Sequence, residues 1–162
     1  MSDDPEADRP AGTPPSHAEQ RLRQANLRLR ADLLREMPVL DVGGRMGRPH
    51  QAGVGVGATE GVGSDVDPAQ SLWAWLDERR LFGVEWKSRV LVSVFQLDAS
   101  GQPRAVVGEI LTLLPQDMTA WQVAFWFASA NGWLGGDYPC ERLDDRDAVL
   151  LAARRLAEGT IG

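Results

Sequence analysis

The side chains able to carry out chemistry are few, and they are scattered along the sequence. His17 and His50 are the two histidines, Cys140 is the single cysteine, and three aspartates cluster between positions 144 and 147. A nucleophile needs an adjacent base, and a calcium loop needs alternating oxygen ligands around a glycine with a distal glutamate. Neither pattern occurs, and two histidines with one thiol do not make a zinc set. We therefore predict no catalytic residue, no metal and no cofactor, so the protein is not expected to be an enzyme.

Aromatic residues are concentrated between Trp121 and Tyr138. The stretch combines an almost wholly apolar helix with a further tryptophan, Trp133, which is more apolar area than one helix face hides in a chain of this size. Aromatic residues are most often core, and they are also preferred anchors of protein interfaces. We expect Trp121, Phe125 and Trp126 to form core and dimer contacts. The surface that binds a partner is then expected further along, at the Gly135-Gly136 turn and the final helix.

Composition restricts the class of protein further. The net charge of −6 argues against a protein that coats nucleic acid, although a local basic face is compatible with it. No apolar run approaches the ~18 residues that a membrane helix requires. The first residues lack the basic and apolar regions of a secretory signal, and a single cysteine cannot form an internal disulfide. We expect a cytoplasmic protein with no membrane partner.

The N-terminal part of the sequence changes character at Ser16. Residues 1–15 contain four prolines and four acidic residues, so they cannot bury enough surface to offset the entropy of ordering, and we predict a disordered tail. Leucines then recur at spacings of three and four, which predicts a helix over His17–Glu36. The arginines on its polar face, including Arg21 and Arg28, could contact phosphate, bind a helical partner or form a solvated surface.

A glycine-rich segment follows this helix. Eight glycines lie between Gly43 and Gly63, some alternating with valine. A phosphate-binding loop would continue with Gly-Lys-Ser/Thr and open a helix, and neither follows here. Because glycine-rich backbone loses much entropy on ordering, we interpret residues 43–66 as a mobile linker or surface insertion.

The rest of the chain predicts four helices and a β-hairpin. The hairpin pairs Leu81–Trp86 with Arg89–Leu97 across a turn at Lys87 and Ser88. The helices are expected over Asp67–Arg80, over Val106–Leu114, from Asp117 or Thr119 to Phe127, and over Arg146–Glu158 with Asp144 or Asp145 as its cap. The predicted fold class is therefore mainly α with a small β-hairpin.

Several segments from Leu91 onwards follow one another in a distinctive order and spacing. They are Val94–Asp98, Gly101–Pro103, an apolar helix ending Leu113-Leu114-Pro115, Trp121–Phe127, Asn131–Gly136, Pro139 and an alanine-rich helix ending at Gly159. Together they resemble the toxin-binding domain of Xre/MbcA/ParS antitoxins over residues 91–162. The resemblance implies a helical homodimer that sequesters a RES-domain toxin, an enzyme that destroys NAD, with its C-terminal end close to the toxin's active-site entrance.

Carried over by position, this likeness implies a set of toxin-binding residues. They are Trp133, Gly135, Gly136, Arg154, Arg155, Glu158, Thr160 and Ile161. Arginines there could pair with acidic groups at the rim of an NAD site, and the short apolar tail could close its mouth. The antitoxin itself would perform no reaction.

The segment before residue 91 resembles the end of an excisionase-like helix-turn-helix with its wing. That resemblance implies that Ser71–Arg80 enters a major groove, with Arg79, Arg80 and Lys87 as candidate DNA contacts beside Arg21 and Arg28 on the first helix. The first helix of such a motif would fall on Val39–Gly47, where two glycines disfavour a helix. The likeness is therefore only partial.

These observations predict three regions and one leading function. Residues 1–15 form the tail, residues 16–90 the first helix, the glycine-rich insertion and a degenerate winged-helix-like segment, and residues 91–162 the helical toxin-binding domain. The leading hypothesis is a type II antitoxin that blocks the active site of a RES-domain toxin. The alternatives are a DNA-binding transcriptional regulator that recognises operator DNA, and an orphan module that only dimerises.

Overall fold

The computed structural model describes residues 16–44 and 68–159, in which the chain is mainly helical with one small antiparallel sheet. The predicted tail (1–15), nearly all of the glycine-rich insertion and the candidate residues Thr160 and Ile161 lie outside the described residues. Contacts divide the chain between Asp32 and Leu33 into two units.

The first helix, α1, spans His17–Glu36, as its leucine periodicity predicts. It begins with a reciprocal capping box: the Glu19 backbone N–H donates to the Ser16 hydroxyl at 3.2 Å, and the Ser16 N–H donates to the Glu19 carboxylate at 2.8 Å. In the first unit its leucines are largely exposed, Leu22 by 69% and Leu29 by 58%. The helical pattern is therefore confirmed without a buried face in the part of α1 that precedes Leu33.

The sheet has three strands, one more than the predicted hairpin. β1 is Val39–Gly43, β2 is Val84–Trp86 and β3 is Arg89–Ser93, in the order β1-β3-β2 with antiparallel pairing. β1 was not predicted as a strand, and it occupies the place where the resemblance puts the first helix of a helix-turn-helix. The strand forms by antiparallel pairing with β3, where Val39 lies opposite Ser93 and Leu40 opposite Val92. Val42 is buried, and Gly43 adopts a φ of +97° at the end of the strand.

Three predicted elements were too long, and one of them is the first hairpin strand, which spans Val84–Trp86 and not Leu81–Trp86. α2 spans Pro68–Asp77 and stops before Arg80, because Arg79 has a φ of +56° and the N–H of Arg80 turns back to the Trp75 carbonyl at 2.9 Å. The second hairpin strand ends at Ser93, and Val94–Gln96 forms a 3₁₀ turn.

Three helices form the main core with this turn. They are α3 (Ala105–Leu113), α4 (Ala120–Phe127) and α5 (Arg146–Gly159), and α4 begins with a capping box between Thr119 and Gln122. Phe127, which is fully buried, stacks on Phe82 from the hairpin side with ring centroids 5.5 Å apart. The hairpin is thereby packed onto the same core as the C-terminal helices.

Gln96 is the largest fully buried polar side chain in the described residues. Its amide nitrogen donates to the Phe82 carbonyl, and its amide oxygen accepts from the Phe82 N–H, each at 2.9 Å. Both polar groups of a buried residue are thus paired, and the segment entering β2 is tied to the 3₁₀ turn that follows β3.

Candidate partner-binding surface

The turn that carries Trp133 is held in shape by backbone geometry. Asn131 accepts the Trp133 N–H on its side chain at 3.0 Å and caps the 3₁₀ turn Gly132–Leu134. Gly135 and Gly136 follow with φ of +69° and +97°, a conformation that L side chains rarely adopt. Both glycines are therefore needed for the turn that presents Trp133.

Arg142 joins the end of this loop to the start of α5. Its guanidinium bonds Asp137 at 2.6 Å and Asp145 at 2.9 Å, and these two carboxylates, Asp145 foremost, raise its pKa. Asp145 also accepts the Ala148 N–H at 3.4 Å. Of the two aspartates that the sequence offered as the N-cap of α5, it is therefore Asp145 that caps the helix. Asp144 instead pairs with Arg104 at 3.0 Å.

Trp133 is the most exposed aromatic residue among the described residues, with 59% of its surface accessible. The Arg155 guanidinium lies 5.0 Å from its ring centroid, and Arg155 also pairs with Glu158 at 2.9 Å. Six of the predicted toxin-binding residues lie on α5 or on the turn beside it, and five of them, all but Arg154, are grouped under one name here. We call Trp133, Gly135, Gly136, Arg155 and Glu158 the Trp133 surface.

The surface in the structure differs from the predicted toxin-binding surface at two residues. Tyr138 is 44% exposed in the same loop and was not singled out from the sequence, where a lone tyrosine beside a proline gives little signal. Arg154, in contrast, does not join Trp133. It lines a groove of about 550 Å³ between α3 and α5, together with Leu113, Leu150 and Leu151.

The aromatic residues of α4 are mainly core. Trp121 is 9% exposed and its indole N–H donates to the Glu85 carbonyl of β2 at 3.2 Å. Phe125 and Trp126 are half-buried against the same core, and Trp126 meets Phe127 edge to face at 5.0 Å. All three residues therefore lie in or against the core, and their role in a dimer stays a prediction.

The candidate DNA contacts are divided between the two units. Arg79 donates to the Gln116 side chain at 2.6 Å, and Arg80 lies 5.9 Å from the Trp75 ring centroid. Lys87, with φ +49°, lies at the hairpin tip. Arg21 and Arg28 lie on α1 in the other unit.

The remaining chemical candidates have structural surroundings. Cys140 is half-buried, and burial raises the pKa of its thiol, which favours the protonated form. Residues 16–44 and 68–159 contain no group of three histidine, cysteine or acidic side chains able to hold a metal ion. None of the helices in these ranges is long and apolar enough to cross a membrane.

Comparisons with protein-family models, with curated proteins and with solved structures return no match to this chain.

Proposed function

We propose that this chain is an antitoxin-like protein that binds a RES-domain toxin and neutralises it by covering the entrance to its NAD site. The observation that carries the proposal is the Trp133 surface. Tryptophan and arginine are among the residue types most enriched at the energetic centres of protein interfaces, and here an exposed tryptophan lies beneath an arginine. The order of segments from Val94 to Gly159 supports the identity of the partner.

The Trp133 surface also has suitable charge for such a partner. Arg155 and Glu158 offer a donor fork and an acceptor one helical turn apart, beside an aromatic face. A partner that presents a carboxylate over an apolar patch can pair with the guanidinium and cover the indole ring together. Because the turn is fixed by Asn131 and by the Arg142 bridge, little ordering entropy opposes binding.

The test uses a purified RES-domain toxin, with NAD consumption and calorimetric affinity as the two measurements. Added chain is expected to stop NAD loss at a fixed stoichiometry. Trp133→Ala is expected to weaken binding by about 30-fold, the equivalent of ~2 kcal/mol for an interface hot spot.

The matched control is Leu40→Ala, which trims an exposed apolar residue on β1 and should leave affinity unchanged. If NAD loss continues at saturating chain, or if Trp133→Ala inhibits as well as the parent, the proposal is wrong.

A second candidate function is DNA binding, favoured by one observation. α1 precedes β1, α2 precedes the hairpin, and the strand order is β1-β3-β2, which resembles the arrangement of a winged helix. Lys87 then lies at the tip of the wing, and Arg79 and Arg80 lie just after the helix that would enter the groove.

This alternative predicts a gel shift of operator DNA that weakens steeply with salt. Lys87→Ala should reduce the slope of log affinity against log salt by about 0.9, the contribution of one phosphate contact. Arg154→Ala on α5 is the control and should leave that slope unchanged. Absence of any shift at low salt rules the alternative out.

A further inference from the structure

The sequence of α1 repeats every seven residues. Residues 21–27 and 28–34 are identical at four of seven positions, and both begin with the triplet Arg-Leu-Arg. A seven-residue repeat brings the same side chains back to the same side of a helix, which is the pattern of helices that pair with other helices. The repeat therefore indicates that one side of α1 is a helix-pairing face.

This face carries two leucines, and both are uncovered. Leu22, Ala25, Asn26 and Leu29 stand at positions i, i+3, i+4 and i+7, so they lie together on one side of the helix. Leu22 is 69% exposed and Leu29 is 58% exposed. Because most of the stability of a helix in a protein comes from packing its apolar face, we expect a partner to cover these two leucines.

Arginines line one flank of this face. Arg23 and Arg30 each follow one of the two leucines, at the flanking position where paired helices form salt bridges. The other flank carries the uncharged residues Ala18 and Ala25 beside the same leucines. A complementary helix therefore places carboxylates opposite Arg23 and Arg30.

A second copy of α1 does not meet this requirement. When two such helices run in the same direction, each arginine faces the opposite flank of its partner, which is Ala18 for Arg23 and Ala25 for Arg30. When they run in opposite directions, the two arginine flanks lie against each other and repel. In neither arrangement do these arginines meet a carboxylate of the second copy, so charge selects a different, acidic helix.

We propose that the Leu22–Leu29 face of α1 docks an acidic amphipathic helix of another protein. The apolar side of that helix covers the two leucines, and its carboxylates pair with Arg23 and Arg30. Residues 17–30 carry four arginines against one glutamate, so this end of α1 is basic although the chain as a whole has a net charge of −6. The face is short, so the complex is weak and sensitive to salt. Docking at this face uses no residue of the Trp133 surface and does not depend on toxin binding.

The arrangement of leucines favours a protein helix over a lipid surface or DNA. Leu27 is 52% exposed and lies about 140° or more around the helix from Leu22 and Leu29. A helix that lies on a membrane keeps its apolar residues on one side, whereas α1 does not. A helix bound to DNA phosphates would leave Leu22 and Leu29 in water.

The experiment compares the binding of two synthetic amphipathic peptides, each of about three heptads, to the full chain. Each peptide carries leucine along one face, and the two differ only at the flanking positions, which are glutamate in one and lysine in the other. Fluorescence anisotropy at low salt is expected to show that the glutamate peptide binds at least about tenfold more tightly. This direction is informative, because the net charge of −6 by itself attracts the lysine peptide.

Matched leucine variants locate the contact. L22Q/L29Q should weaken binding of the glutamate peptide at least about tenfold, because both covered leucines are lost. Leu27→Gln changes a similarly exposed leucine of the same helix and should leave binding unchanged. Glutamine suits a helix about as well as leucine, so circular dichroism should show α1 intact in both variants.

Matched arginine variants test the charge. R23E/R30E should reverse the preference, so that the lysine peptide binds more tightly than the glutamate peptide. R21E/R28E makes the same change in net charge outside the face and should leave the preference in its original direction.

The proposal is overturned if the chain does not prefer the glutamate peptide, or if L22Q/L29Q and Leu27→Gln have equal effects. Equal effects of the two arginine pairs would also overturn it, because they would indicate a general attraction of anions such as lipid or DNA phosphate. A parent chain whose mass rises with concentration, while that of L22Q/L29Q does not, would identify a second copy as the occupant and would contradict the choice of an acidic partner.

Discussion

Replacement of Gln96 by leucine tests how the hairpin is joined to the helical core. Leucine is close in size and keeps the apolar contacts of the site, but it can neither donate nor accept a hydrogen bond. The Phe82 N–H and carbonyl, each bonded to Gln96 at 2.9 Å, would lose their partners inside a closed site, since the Gln96 side chain is 0% exposed. The substitution therefore measures the contribution of these two hydrogen bonds to stability, with the packing contribution nearly unchanged.

The expected loss of stability follows from those two groups. A buried backbone group left unpaired costs about 1 to 3 kcal/mol, so the pair costs about 2 to 6 kcal/mol. The added apolar contact of leucine offsets about 1 kcal/mol of this. We expect Gln96→Leu to lower the free energy of unfolding by about 3 kcal/mol, which is a large fraction of the ~5 to 15 kcal/mol typical of a domain.

Urea denaturation followed by tryptophan fluorescence measures this difference. Gln102→Leu, at an exposed turn position, is the control and should change stability by less than about 0.5 kcal/mol. Gln96→Glu adds a diagnostic, because its carboxylate would face the Phe82 carbonyl. The pKa of this introduced carboxyl group should be raised in the folded state. The variant's stability relative to the parent should therefore recover as the pH falls through that folded-state pKa. A Gln96→Leu variant within about 0.5 kcal/mol of the parent would falsify the reasoning.

Three other outcomes follow from local geometry. Hydrogen bonds from Ser100, and after them from the Gln102 N–H, lower the pKa of Asp98 below its usual 3.8. The ionised Asp98 therefore stabilises the fold above pH 3.8, and this stabilisation is lost as the pH falls through the folded-state pKa of Asp98. Acid titration of Asp98→Asn, followed by circular dichroism, should lack this component. Thr119→Ala removes a capping box and should cost about 1 kcal/mol in thermal or urea unfolding. The double change K87N/S88G supplies residues that accept the positive φ of both turn positions, and it should raise the melting temperature without altering the hairpin's circular dichroism.

The sequence was most informative where apolar residues recur at helical spacing. Both ends of α1 were predicted, and α5 was predicted to within one residue, because apolar residues recur at helical spacing along each. The start of α4 was left open between Asp117 and Thr119, and the capping box with Gln122 decides for Thr119. These features are local, so the sequence alone contains them.

The features that the sequence did not reveal depend on distant contacts. β1 became a strand because β3, almost fifty residues later, pairs with it; no local pattern in a segment rich in glycine could show that partner. Gln96 looked like one polar residue in a strand, and its role exists only because Phe82 lies opposite. In the candidate site, two arginines that are adjacent in the sequence lie on different sides of α5, because successive helix positions point about 100° apart. Arg155 contacts Trp133, whereas Arg154 lines the α3–α5 groove.

The double bridge made by Arg142 has a consequence for the thermodynamics of association. By joining Asp137 to Asp145, it makes the loop after Trp133 part of the same rigid body as the start of α5. A partner that docks there meets a surface already in its bound shape, so the heat-capacity change of binding should be accounted for by the apolar area covered, with no contribution from coupled folding. Association would then be limited by diffusion and orientation, and the lifetime of the complex would determine its affinity.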